Sequence, residues 1–84
     1  MPYIKQHHRE HMRQQTSFPL MAGPGQLNFF LCETYKEYLR QRGEWRYQDL
    51  NDILGAIEGS RAEFYEHVIK LYEQKKIEEN GTVW

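Results

Sequence analysis

The sequence predicts an all-α fold: a helical hairpin with one long second helix, an N-terminal arm, and a short extended C-terminal tail, assembling as a homo-oligomer. Three observations predict it. Apolar residues recur at spacings of three and four through two long segments, the period of one helix face. Gly43 and Asn80-Gly81 stand where such segments must stop. The second segment outruns the first, so part of its apolar stripe lies beyond the reach of its own hairpin and has to find another chain.

Size points the same way. A chain of 84 residues, 39% hydrophobic and 27% charged, lies near the lower limit at which one core stabilises a fold without disulfides, metals or partners. Many of its large side chains are therefore expected between subunits. The organisation reads as a polar arm and Pro/Gly loop over residues 1–25, then a helical hairpin with its tail over residues 26–84. The arm could form a helix over His7 to Gln15, but only Ile4, His8 and Met12 line up, a stripe too thin to hold a helix without docking. From Thr16 to Gly25 two prolines and two glycines rule out a regular element. Phe18, Leu20 and Met21 nevertheless require that this connection pack against something.

The first strong helix is placed from about Gln26 to Gln41, with Leu27, Phe30, Leu31, Thr34, Tyr35 and Tyr38 on one face. Arg40 and Arg42 favour its negative end. The second begins near Tyr47, with Asp49 and Asp52 in its early turns. Its stripe of Leu50, Ile53, Leu54, Ile57, Phe64, Val68 and Leu71 holds a coiled-coil-like register and continues to about Glu79. Trp84, at the end of the tail, is expected to dock.

Composition narrows the function classes. A net charge of -1 gives no global field for a polyanion, so general nucleic-acid binding is not favoured. No window approaches a membrane span, the amino terminus has no apolar stretch of signal-peptide type, and the single Cys32 excludes an internal disulfide. A cytoplasmic protein with no membrane partner is expected. Charge is uneven: residues 1–16 carry Lys5, Arg9 and Arg13 against Glu10, whereas the carboxyl-terminal half is rich in Glu.

Several constellations carry candidate chemistry. Arg40, Arg42, Trp45, Arg46 and Tyr47 gather guanidinium forks and flat rings around a turn, a nucleotide-shaped set; the structural reading is helix capping and an anchored turn. Arg61 interrupts the apolar stripe and must be paired, with Glu58 or Glu33, or snorkel out, or line a pocket for an anion. Gly55, Gly59 and Ala62 share a face and favour close helix approach over a ligand site. His7 and His11 share a helical face but lack the further ligands that zinc requires. Glu63, Glu66 and His67 do not match the i, i+3 Glu-x-x-His spacing of di-iron bundles, and Glu66 with Lys70 reads as a surface pair. No catalytic residue, metal or cofactor is assigned.

The opening Met-Pro-Tyr-Ile, Gly25-Gln26-Leu27-Asn28-Phe29, the run Asn51-Asp52-Ile53-Leu54-Gly55-Ala56-Ile57-Glu58, Glu63-Phe64-Tyr65, Tyr72-Glu73 and the stretch from Lys75 to Gly81 together resemble a short phage-associated domain family of unknown function. The resemblance covers nearly the whole chain. Members end in Glu-Asn-Gly-Asp-Val-Tyr, and here Thr82 and Trp84 stand at the positions of the acid and the tyrosine. It implies phage origin, a small helical architecture and a place in the host-cell cytoplasm, and it brings no catalytic residues. The leading expectation is a non-enzymatic accessory protein that binds stoichiometrically. It would sequester a small anionic ligand, such as a defence-signalling nucleotide, in inter-subunit pockets. A module docking on a host or virion protein is the alternative, and a di-iron or other metal enzyme a third.

Overall fold

The computed structural model describes residues 4–82 and 84; the first three residues of the arm and Val83 of the tail lie outside the described residues. Everything regular in it is helical: α1 spans Gln6–Gln15, α2 Pro24–Arg42, α3 Tyr47–Phe64 and α4 Lys70–Asn80, with a π-helical turn at Tyr65–Ile69 between the last two. No strand occurs among the described residues. The chain divides into two compact units, Met1–Trp45 and Arg46–Trp84.

In the first unit, α1 forms although none of its residues is buried. Local interactions hold it. Arg13 pairs with Glu10, and the Thr16 hydroxyl donates to the Met12 carbonyl at 2.6 Å, satisfying an acceptor at the helix end. The helix forms over the span the sequence allowed, with Met12 and Arg9 beside Phe18 of the following connection. α2 starts two residues earlier than periodicity suggests. Pro24 occupies its first turn, where a missing N–H costs nothing, and the extended Gly23 supplies the carbonyl that accepts from Leu27 N–H at 3.1 Å. Its end matches the reading of Gly43, whose φ of 77° admits the turn and whose N–H reaches the Arg40 carbonyl at 3.1 Å.

The Pro/Gly connection does pack, in part. Phe18 sets its ring edge-on to Phe30 of α2 with centroids 5.8 Å apart. Leu20, by contrast, is 92% exposed. Of the two surfaces expected to cover this connection, its own chain meets the Phe18 ring and leaves Leu20 open.

The second unit is one continuous helical rod. Asp49 caps its start: the carboxylate accepts from Arg46 N–H at 2.8 Å, while Asp49 N–H donates to the Arg46 carbonyl at 3.0 Å. At Phe64 and Ile69 the backbone stays right-handed helical, so the π turn interrupts the hydrogen-bond pattern without breaking the rod. Its signature is the Lys70 N–H, which reaches back five residues to the Tyr65 carbonyl. From Tyr47 to Asn80 the rod runs roughly 50 Å at about 1.5 Å per residue. Gly81, with φ of 78°, ends it by donating its N–H to the Ile77 carbonyl at 2.7 Å. Trp84 does not dock. It is fully exposed, and its N–H meets only the Thr82 hydroxyl, at 3.2 Å.

Among the described residues no large apolar side chain is fully buried. A lone helix cannot bury its own stripe, since its side chains radiate from the axis. Leu54, Phe64, Val68, Leu71 and Tyr72 each keep more than half of their surface in water.

Candidate functional site

The first unit places Arg40 and Arg42 in the last turn of α2, where cations meet the negative end of the helix dipole. Their environments differ. The Arg40 guanidinium forks onto Glu37 one turn back, its Nε 2.7 Å from Oε2, and Gln41 Nε2 adds a bond at 3.1 Å to the same carboxylate. These hydrogen bonds hold the Glu37 carboxyl down at about 2 from an ordinary 4.5, the Arg40 bond first and the Gln41 bond second. The same bond raises Arg40 above its usual value. Arg40 is therefore a neutralised guanidinium. Arg42 instead lies over the Tyr38 ring, 4.3 Å from its centroid, and is exposed. Trp45, at the end of the same unit, is half exposed.

The second unit carries the remaining candidates. Arg46 donates its backbone N–H to the cap of α3, and Tyr47 opens that helix with its ring exposed. Arg61 sits in the last turn of α3. Its side chain is exposed, the snorkelling alternative, and no ion pair joins it to Glu58 on the same helix. Among the described residues the Arg61 side chain has no hydrogen-bond or salt-bridge partner.

Around the π turn the polar side chains are engaged locally. His67 Nε2 lies 3.1 Å from Glu63, Lys70 is 3.4 Å from Glu66 as the i, i+4 spacing suggests, and Tyr65 Oη donates to Glu73 at 3.5 Å. No group of three or more His, Cys, Asp or Glu suited to a metal occurs among the described residues. His7 and His8 make an edge-on ring contact, with centroids 4.1 Å apart. Close approach at Gly55 is not seen: a Cβ built there would meet no atom within 4 Å, although Gly59 is buried.

Two shallow hollows, both in the first unit, escaped the sequence. One, of about 440 Å³, lies under Leu20 and Met21 against Phe29 and Phe30. The other, of about 470 Å³, joins Ile4, Met12 and Phe18 with Arg9 and Arg13. The apolar Phe18–Met21 run was their only signal. The π turn had none, because residues 65–69 read as ordinary helix formers.

No helix is long and apolar enough to cross a membrane among the described residues. No curated protein and no solved structure matches the chain. A family model described as a domain of unknown function, DUF6899, matches residues 1–83, and the chain belongs to that family.

Proposed function

We propose that this protein acts by stoichiometric binding, without catalysis, as a homo-oligomer whose copies meet through the α3–α4 rod. One observation carries the reading: the rod presents a row of large apolar side chains with no cover inside its own unit, Leu54 at 60% and Tyr72 at 61% exposure among them. Burial of such a row stabilises by about 25 cal/mol per Å² of apolar surface, and monomeric soluble proteins rarely leave one open. The polar side chains support the binding role, being tied in i, i+3 and i, i+4 pairs typical of a solvated helix surface.

A second, narrower reading is favoured by Arg42 over Tyr38 with Trp45 exposed nearby in sequence. A guanidinium fork beside ring faces suits a small anionic ligand carrying a base, a nucleotide, held in pockets that assembly would complete. Arg46, Tyr47 and Arg61 in the second unit are separate candidates for the same ligand, and Arg40, already matched by Glu37, is the weakest. In a phage setting such pockets would sequester a defence-signalling nucleotide in the host cytoplasm. A host or virion protein is the other class of partner for the apolar row.

Light-scattering mass on purified protein tests the first reading, and thermal-shift screening with nucleotides and cyclic nucleotides tests the second. A defined oligomer is expected at micromolar concentration; a stable, helical monomer would overturn the assembly reading. Stabilisation by one nucleotide class, lost in Arg42→Ala and Trp45→Ala while the oligomer persists, is expected of the ligand reading. Indifference to all of them would leave a protein partner in its place.

A further inference from the structure

The face of α3 has an internal symmetry that identifies what covers it. Helical spacing puts Ile53, Ile57, Phe64 and Val68 along one edge of the apolar stripe, and Leu54, Glu58, Arg61 and Tyr65 along the other. Each row has the same spacing read forwards or backwards. The first row is centred midway between Ser60 and Arg61, the second midway between Gly59 and Ser60, so the two centres flank Ser60 and lie one residue apart, about 1.5 Å of helix rise.

A two-fold axis perpendicular to two antiparallel helices brings each edge against the same edge running the other way. Placed at Ser60, between the two centres, it brings Ile53 near Val68, Ile57 near Phe64, and Leu54 near Tyr65, each pair staggered by about 1.5 Å. The one charged position of the stripe, Arg61, falls opposite Glu58 of the partner subunit. Every apolar position meets an apolar one, and the base meets an acid. A parallel pair in register would instead put Arg61 beside its own copy, a like-charge contact that disfavours that arrangement.

The state of Glu58 and Arg61 within one chain is a second, independent observation. An acid three residues before a base closes an ion pair at Glu33–Lys36 and at Glu37–Arg40. Glu58 and Arg61 have the same order and spacing, yet their side chains do not close an ion pair with each other. The pair is open and available to another chain.

We infer that a second copy of this chain packs antiparallel along α3 about a two-fold axis at Ser60, closed by reciprocal Arg61–Glu58 ion pairs between copies. This rests on the self-association proposed above, and it assigns Arg61 to the interface instead of to a ligand. The last member of each row, Val68 in one and Tyr65 in the other, lies in the π turn at Tyr65–Ile69.

Charge reversal on the full chain tests it, read as the dissociation constant from sedimentation equilibrium with helix content followed by circular dichroism. Arg61→Glu and Glu58→Arg should each weaken assembly roughly tenfold or more, and the double reversal should return it to within about threefold of the parent. The milder Arg61→Gln and Glu58→Gln serve if a reversal loses its helix content; each should weaken assembly less than its reversal does. Weakened singles without rescue in the double, or an oligomer indifferent to all of these changes, would overturn the antiparallel register and leave self-association standing. A parent that stays monomeric at every concentration would overturn both.

Discussion

The two units solve the same problem by different means. In the first, the chain folds back: Phe18, in an irregular connection, returns to Phe30 on α2, and the unit has an internal aromatic contact on which to build. In the second, a single rod from Tyr47 to Asn80 has nothing of its own to pack against. Its helix is secured at the ends, by Asp49 at the start and Gly81 at the finish, and by the Lys70–Glu66 and Lys76–Glu79 ion pairs along its sides. Caps and i, i+4 pairs contribute only about 0.3–1 kcal/mol each. The difference teaches that stability in the first unit is partly internal, whereas in the second it has to come from whatever covers the stripe.

The substitution that breaks this contrast most sharply is Ile57→Asp. Ile57 lies at the middle of the stripe and is half-buried already. If a partner completes its burial, a carboxylate there costs about 2–5 kcal/mol, the scale of losing a buried aliphatic side chain, and it desolvates a charge as well. Urea unfolding should show the loss together with a fall in mass by light scattering. Unchanged stability would mean that the rod holds itself without cover.

Gly43→Ala probes the junction between the units. A φ of 77° is rarely adopted by residues with a Cβ, and strain of this kind costs about 1–3 kcal/mol. Since nothing lies within 4 Å of a Cβ built there, the cost is conformational and not steric crowding by neighbours. A lowered Tm with unchanged oligomer mass is the expected result. A lower mass would show that assembly reads the geometry of this turn.

What the sequence made legible follows from the range of the forces involved. Helix existence, the stops at Gly43 and Gly81, the arginines at the end of α2 and the Glu66–Lys70 pair all rest on interactions within one or two turns, and all are present. The failures lie where a distant partner was needed. Trp84 was expected to dock because an exposed indole is unfavourable, but hydrophobicity states a need without naming a surface, and Trp84 stays in water. Arg61, expected to pair or to snorkel out, is exposed and makes no ion pair with Glu58 on its own helix. The π turn was invisible because a change of hydrogen-bond register leaves no mark on a run of ordinary helix-forming residues. Of the candidate site, the guanidinium-and-ring content could be read; that Glu37 neutralises Arg40 while Arg42 takes the Tyr38 ring could not.

Within the first unit, Phe18→Ala sharpens the comparison on the other side. It removes the ring contact with Phe30, and such pairs contribute about 0.5–1.5 kcal/mol beyond area burial. Because Phe18 remains largely exposed, the lower end of that range is expected in urea unfolding, with oligomer mass unaffected. A fall in mass would move the interface from α3 to this connection.

The smallest expected effect is one of pH, and it belongs to the end of α2. Arg40 and Gln41 hold the Glu37 carboxyl at about 2, below its ordinary 4.5, so the folded helix binds its proton less readily than the unfolded chain does. Stability from this clamp is fully present above pH 4.5 and is lost as pH falls toward 2. The carboxylate is exposed and screened by solvent, so the contribution is small. A difference between two proteins isolates this carboxylate from the rest of the chain. Glu37→Gln should therefore unfold more readily than the parent at neutral pH, and the gap between them should close as acid is added through that window. A gap that stays constant down to pH 2 would show that Glu37 stabilises α2 by packing its methylenes and not by its charge.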